Sequence, residues 1–305
     1  MRFGAFIITF NRPQRLHEVL TATFAQTHPP EFILVVDNGD AGQSGPILAQ
    51  FPQDKVYHHV VGDNIGPAGA AALALQRLVS DGYDWIAWGD DDTPPQTPDT
   101  FERLLQLGCQ SDATVGGVGA VGSYFDWKTG ELQRLPNEAL HGIVDVDGIG
   151  SGLQLITKRE IVERVGLPNA RLFFGFYDPE YCLRIRCAGY RLLVDGDLMR
   201  IYREKAGRMN LQVKRALVPD NSYNNLWRRY YVTRNYIYMM RNTFQRPDLA
   251  RRETLKAVAR SAMAWQRGIK FGTAFNQLQL RGVVDGYQGK LGRTVLPQAK
   301  IYGQA

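Results

Sequence analysis

Asp90, Asp91 and Asp92 stand side by side directly after an aromatic run, YDWIAWG at 83–89. Three adjacent carboxylates repel one another unless a cation, or the donors of a ligand, sit among them. On an exposed loop, water would solve the problem. At the end of a buried strand it cannot, and a hard divalent cation with oxygen ligands, Mg²⁺ or Mn²⁺, neutralises such a group, usually together with substrate phosphates. A second chemistry-bearing stretch is FYDPEYCLR at 176–184. Asp178 there has two readings. One is a helix N-cap, with Pro179 at the first helical position and Glu180 in the first turn. The other is a general base, a role that the ionised form favoured by capping also serves.

These groups need elements to hold them. FGAFIITF at 3–10, FILVV at 32–36, residues 55–61 and the run at 83–89 read as buried strands. Helical spacing of Leu16, Val19, Leu20, Thr23 and Phe24, a short helix at 47–51 and a small-residue helix at 68–80 lie between them. Alternation of this kind predicts an open α/β sheet of Rossmann type, with ligands outside the carboxyl ends of its strands. Thr9, Asn11 and Arg12, then Asp37 and Asn38, then Asp90–Asp92 fall at three of those ends. Gly66 and Gly69 lack a full dinucleotide or P-loop signature and read first as turn and packing residues. Farther on, the Gly-rich run at 115–125 suits one strand, residues 127–131 a hairpin turn, 158–165 a helix, and 191–194 a strand.

Taken in order, TFNRP (9–13), QTHPP (26–30), VVDNGD (35–40), NIGPAGA (64–70), YDWIAWGDDD (83–92), FYDPEYCLR (176–184) and YYVTRN (230–235) resemble the bacterial family-2 glycosyltransferases, within them the rhamnosyl- and galactofuranosyltransferase-like branch. The resemblance implies a GT-A fold: a mixed, mainly parallel sheet flanked by helices, followed by a helical basic C-terminal region. Residues 1–205 would form the catalytic domain, 1–95 its nucleotide-binding half and 96–205 its acceptor-binding half, with 206–305 the extension. It further implies that Thr9, Asn11, Arg12 and Asn64 lie along a nucleotide-sugar donor and that Asp37 meets the pyrimidine. Asp90–Asp92 match the family's Asp-x-Asp motif. Asp92 would ligate the metal on the diphosphate, Asp90 would be a second ligand or ribose contact, and Asp91 would touch sugar or ribose. Asp178 would take the acceptor's proton, with Glu180 and Arg184 positioning the acceptor or holding the base. The outcome would be inverting transfer from a UDP- or dTDP-sugar to a hydroxyl of a cell-envelope, polysaccharide or lipid-linked glycan.

One departure bears on the metal. Many relatives carry a His about two dozen residues after the base, whereas DLMRIYR at 197–203 has none and all five histidines lie upstream. The metal is then held by Asp, phosphates and water, weakly or only with donor bound, or else Arg200 or Arg203 replaces part of its charge. The same departure motivates a second reading, a non-catalytic nucleotide-sugar-binding or scaffold subunit of a polysaccharide assembly complex. A nucleotidyltransferase fits less well, since TFNRP is not a Gly-rich, basic loop.

Charge is unevenly spread. From Met199 onward 21 Lys/Arg face 5 Asp/Glu, roughly +16, which leaves the rest near −10. Beyond residue 225 basic residues alternate with aromatic and aliphatic ones. That pattern suits peripheral contact with an anionic membrane or, alternatively, packing on the catalytic domain or in a homo-oligomer. No nucleic-acid recognition motif accompanies the charge. Cys109, Cys182 and Cys187 lack metal-ligand spacing and read as thiols of a reducing compartment. With no leader-like start and no apolar run of spanning length, the expected place is the cytoplasm or the inner face of the membrane.

Overall fold

The computed structural model describes residues 1–150, 155–209 and 223–296. The chain divides into two compact units, one of Met1–Asn169 with Asp178–Leu211, the other of Ala170–Tyr177 with Gln212–Ala305.

The first unit is built on an eight-stranded sheet. β1 (Phe3–Thr9), β2 (Phe32–Asp37), β3 (Val56–Val60) and β4 (Trp85–Ala87) are its parallel half. β5 (Val115–Gly119), β8 (Ile143–Val146), β10 (Leu155–Lys158) and β11 (Arg191–Asp195) complete it in the order β3-β2-β1-β4-β10-β5-β11-β8. β10 runs antiparallel to both neighbours, which makes the sheet mixed. β6 (Gly122–Asp126), β7 (Glu131–Arg134) and β9 (Gly148–Ile149) form a small antiparallel sheet. All seven residues of β1 are buried, as a strand covered on both faces requires.

α1 (Pro13–Phe24), α2 (Ala41–Leu48), α3 (Gly66–Ser80), α4 (Thr100–Gln110), α5 (Arg159–Val165), α6 (Tyr177–Cys187) and α7 (Gly196–Lys205) follow in chain order. α1 buries Leu16, Val19, Leu20 and Thr23, the face its spacing predicts. One core joins Phe3, Ile7, Leu20, Val35, Phe101, Ile156 and Leu198.

The second unit contains α8 (Leu226–Tyr238), a π-helical turn (Met239–Thr243), α9 (Pro247–Ala264) and α10 (Ile269–Gln288). α8 is buried on most of its surface, including Trp227, Tyr230, Tyr231 and Arg234. It lies close against α10: a Cβ at Gly282 would come 2.8 Å from the Tyr230 carbonyl, and one at Gly286 2.8 Å from that of Arg234. The Arg234 guanidinium donates to the Leu172 and Gly292 carbonyls.

Several local expectations change. The run at 115–125 is two strands in different sheets, β5 pairing with β10 and β11 and β6 with β7 and β9. Gly117 sits against Leu155 and Leu192, whereas Gly122 leaves room for Val146 and Val194. The short helix lies at Ala41–Leu48 and not at 47–51, since the Asp40 carboxylate accepts from the Gly42 N–H and starts it earlier. The strand at 83–89 shrinks to Trp85–Ala87, and Asp90 returns to the sheet only through an isolated bridge to Ile8. Asp178 falls within the first turn of α6 and not ahead of it, because the helix already begins at Tyr177.

Candidate active site

The carboxyl ends of β1, β2 and β4 meet because the strands are parallel and in register. Thr9 pairs with Asp37 and Ile8 bridges to Asp90. Backbone bonds carry the ladder past the strands: Asn38 N–H donates to Thr9 at 3.0 Å and Asp91 N–H to Ile8 at 3.1 Å. The three polar clusters of the sequence therefore sit at one edge of one sheet.

Within that edge, Thr9, Arg12, Asp91 and Asp92 form one group. Asp91 is 4% exposed and turned inward. It accepts from Thr9 Oγ1 at 2.8 Å, the Phe10 N–H at 3.4 Å and Arg12 Nη1 at 3.1 Å. Burial raises its pKa above the ordinary carboxylate value, and Thr9 and Arg12 oppose the rise. The same Arg12 nitrogen reaches Asp92 Oδ2 at 3.2 Å. Asp92 is far more open, its side chain 42% exposed. The guanidinium thus bridges the second and third carboxylates of the triplet.

The neighbouring loops are locked to this group. Asn11 adopts a left-handed backbone (φ 53°), a conformation Asn tolerates through local hydrogen bonding. Its Oδ1 accepts from the Asp40 N–H at 2.7 Å, tying the β1–α1 loop to the β2–α2 loop. Gly39 allows that approach, since a Cβ there would lie 2.3 Å from Asn11 Oδ1. Asn64 Oδ1 accepts from the Gly66 N–H at 2.9 Å and helps start α3.

Asp37 is 1% exposed and well supplied with donors. Oδ1 accepts from the Gly39 N–H at 2.8 Å, and Oδ2 meets Ser44 Oγ and His58 Nε2. Ser44 and His58 were not foreseen. The signal for His58 was its place on β3, where Val35 of β2 is its register partner, two residues before Asp37. Asn38, next in the chain, donates to the Gly66 carbonyl, but its buried Oδ1 has no hydrogen-bond partner among the described residues.

From Asp178 onward α6 belongs to the same unit. The Trp88 ring stacks on Tyr181 with centroids 5.1 Å apart, so the segment leading into Asp90–Asp92 is braced against the helix carrying Asp178. Tyr181 lies three residues after Asp178, on the same helical face. Glu180 is buried, and its Oε1 accepts from Arg184 Nε at 2.8 Å. Burial pushes the Glu180 pKa up, against the pull of Arg184. The remaining Arg184 nitrogens donate to the Val165 and Leu167 carbonyls, both at 2.9 Å. Arg184 thus holds α6 to the end of α5. Glu180 Oε2 and the Trp88 Nε1–H are buried without partners among the described residues.

Arg200 and Arg203 are bonded to the segment at 135–141. Arg200 donates to the Asn137 carbonyl and Arg203 to Leu135 and the Asn137 side chain. Among the described residues Arg12 is a cation that reaches Asp91 and Asp92. Among the described residues no group of three His, Cys, Asp or Glu is gathered to hold a metal. Asp90 and Asp92 are oxygen donors of the kind Mg²⁺ and Mn²⁺ take, and a cation held by one or two carboxylates plus substrate phosphates needs no complete protein cage.

Comparison with known proteins agrees with this architecture. Residues 5–159 match the family described as Glycosyl transferase family 2. Galactofuranosyltransferase GlfT1 of Mycobacterium tuberculosis is 32% identical over 103 residues, covering 33% of this chain and 34% of the relative. GlfT1 of Mycolicibacterium smegmatis is 26% identical over 190 residues, 55% of this chain and 60% of that protein. The matches thus span between a third and three-fifths of those relatives. Among solved structures, mannosyltransferase PcManGT from Pyrobaculum calidifontis, in complex with GDP-Man and Mn²⁺, superposes with a TM-score of 0.56 at 16% identity, covering 95% of this chain and 88% of that one. S. aureus TarS 1–349 gives a TM-score of 0.53 at 12% identity, covering 95% and 92%. The ordered sheet-edge groups, the GT-A architecture and the family match over half its length place the chain in glycosyl transferase family 2.

Proposed function

We propose that the protein is an inverting glycosyltransferase moving a sugar from a UDP- or dTDP-linked donor to a hydroxyl of a cell-envelope or polysaccharide glycan. Support comes from the stacking of Trp88 on Tyr181, which sets the acidic triplet beside the helix of Asp178. A single displacement at the anomeric carbon needs a base on one face and a stabilised leaving group on the other. Asp178 takes the proton from the attacking acceptor oxygen. Arg12 leaves the Asp91–Asp92 bridge to meet the diphosphate, a bidentate match of guanidinium to phosphate oxygens. Asp90 and Asp92 would hold Mn²⁺ or Mg²⁺, which neutralises charge on the departing diphosphate. Asn11 and Asn64 fix the loops against which the donor lies. Asp37 would meet the pyrimidine, with Asn38 beside it, whose buried Oδ1 has no partner among the described residues. Glu180 and Arg184 act by holding α6, and with it Asp178, in place.

The name of the curated relatives makes UDP-galactofuranose the first donor to test. Thermal unfolding with a panel of UDP-, dTDP- and GDP-sugars, with and without Mn²⁺, tests the reading. One donor should raise the melting temperature, and more so with Mn²⁺. No shift with any of them overturns it.

A further inference from the structure

α9 turns the wrong stripe outward for a helix that serves only to pack. Its buried residues include Ala250, Ala257, Ser261 and Ala264, small side chains that let it lie close to α8 and α10. Leu249 is buried with them, whereas Leu255, Val258 and Ala262 form a separate exposed stripe, followed in the chain by Trp265 and by Ile269 at the start of α10. Leu255 is 72% exposed, Val258 51%, Trp265 49% and Ile269 78%. Within α9, spacings of three and four residues keep Leu255, Val258 and Ala262 on one side, and Trp265 and Ile269 follow at the exposed turn into α10. Trp265 is fixed there, because its ring covers Gly272, where a Cβ would lie 2.6 Å from it.

Charge says what covers this stripe. Between Leu249 and Val284 there are seven Lys/Arg and a single acid, Glu253, which pairs with Arg260. Arg251, Arg252, Arg267 and Lys270 are exposed around the stripe. A second copy docking face to face would set these cations against each other. A nucleic acid would want rings to stack on, and the stripe offers aliphatic side chains with one indole. An apolar band with a Trp at its edge and cations along its flanks matches the boundary between acyl chains and anionic headgroups. No helix among the described residues is long and apolar enough to cross a membrane, so the contact lies on the surface.

We propose that the outer face of α9, with Trp265 and Ile269, is a docking surface for anionic phospholipid bilayers. Apolar burial and headgroup attraction act together there, each basic residue near the surface adding to the second. This assignment stands apart from the catalytic reading and is tested without turnover.

The experiment is co-sedimentation of the full chain with vesicles of phosphatidylcholine alone or mixed with phosphatidylglycerol. Binding should appear on the mixed vesicles, weaken with salt, and carry a blue shift in tryptophan fluorescence that the Trp265→Phe variant reduces. L255S/I269S should weaken binding at least about tenfold with an unchanged melting temperature, as both side chains are exposed. R251Q/R252Q should reduce binding to mixed vesicles and flatten its salt dependence. Equal binding to both vesicle types, or mixed-vesicle binding that survives L255S/I269S, overturns the proposal. So does a dimer on gel filtration that L255S/I269S dissociates while vesicles bind neither form.

Discussion

The Trp88 indole and the Tyr181 ring stack at 5.1 Å with planes 29° apart. Trp88 lies two residues before Asp90, and Tyr181 three after Asp178. The contact therefore joins the two halves of the proposed chemistry through two buried side chains. Tyr181→Leu should lose the stack and open space in the core, costing about 2–4 kcal/mol of stability. A small displacement of Asp178 should also lower turnover about tenfold or more. Tyr181→Phe keeps the ring and removes a buried hydroxyl that has no partner among the described residues, so stability should hold within about 0.5 kcal/mol. Urea unfolding and initial rates on both variants check this. Equal losses in the two would mean that the hydroxyl matters and the stack does not.

Arg12 bridges Asp91 and Asp92. Arg12→Gln should weaken nucleotide-sugar binding about tenfold or more, since a guanidinium–phosphate contact is charge-assisted. The stability loss should stay near 1 kcal/mol, because Arg12 is partly exposed and Asp91 retains Thr9 and the Phe10 N–H. Calorimetric titration of donor, beside thermal unfolding, separates the two effects. Unchanged donor affinity would remove Arg12 from the diphosphate.

Glu180 links stability to pH. Burial raises its folded pKa above the ordinary 4.5. The folded state therefore favours the protonated form, and the stability it carries is full below about 4.5 and is lost as pH rises through the folded pKa. Glu180→Gln should remove that part of the fall while still accepting from Arg184 Nε. Melting temperatures of the two proteins should converge at acid pH and separate above it, with the variant the higher. Parallel curves from acid to neutral pH would contradict the assignment.

Gly286 sits where α10 meets α8. In an exposed helix Gly→Ala is worth about 1 kcal/mol in favour of Ala. Here the new methyl would lie 2.8 Å from the Arg234 carbonyl, backbone that cannot swing aside. Overpacking at about 1–3 kcal/mol outweighs the propensity gain, so Gly286→Ala should destabilise. Chemical denaturation gives the sign directly, and a stabilised variant would mean that the helices separate at little cost.

Much of the first unit was legible because parallel strands write themselves as unbroken apolar runs. Phe3–Thr9 and Phe32–Asp37 could be read directly, and with them the meeting of Thr9, Asp37 and Asp90 at one edge. What sequence could not give was which polar atoms are already spent. Asp37 looked like a ligand group, yet Gly39, Ser44 and His58 surround it, and His58 comes from a strand whose register only the folded sheet sets. Arg200 and Arg203 looked free to aid a metal, but the segment at 135–141 folds back onto them. In α9 the inward side is mostly small, Ala250, Ala257, Ser261 and Ala264 beside Leu249, and the periodicity of larger side chains does not reveal which side faces inward.

The central claim is tested most directly by nucleoside diphosphate release from UDP-galactofuranose and other nucleotide sugars, with an envelope glycan acceptor and Mn²⁺ or Mg²⁺. The account predicts acceptor-dependent release by the native protein, lowered about 10²–10⁴-fold in Asp178→Asn with donor affinity unchanged. Release from no donor with either metal, or near-native turnover by Asp178→Asn, would contradict it.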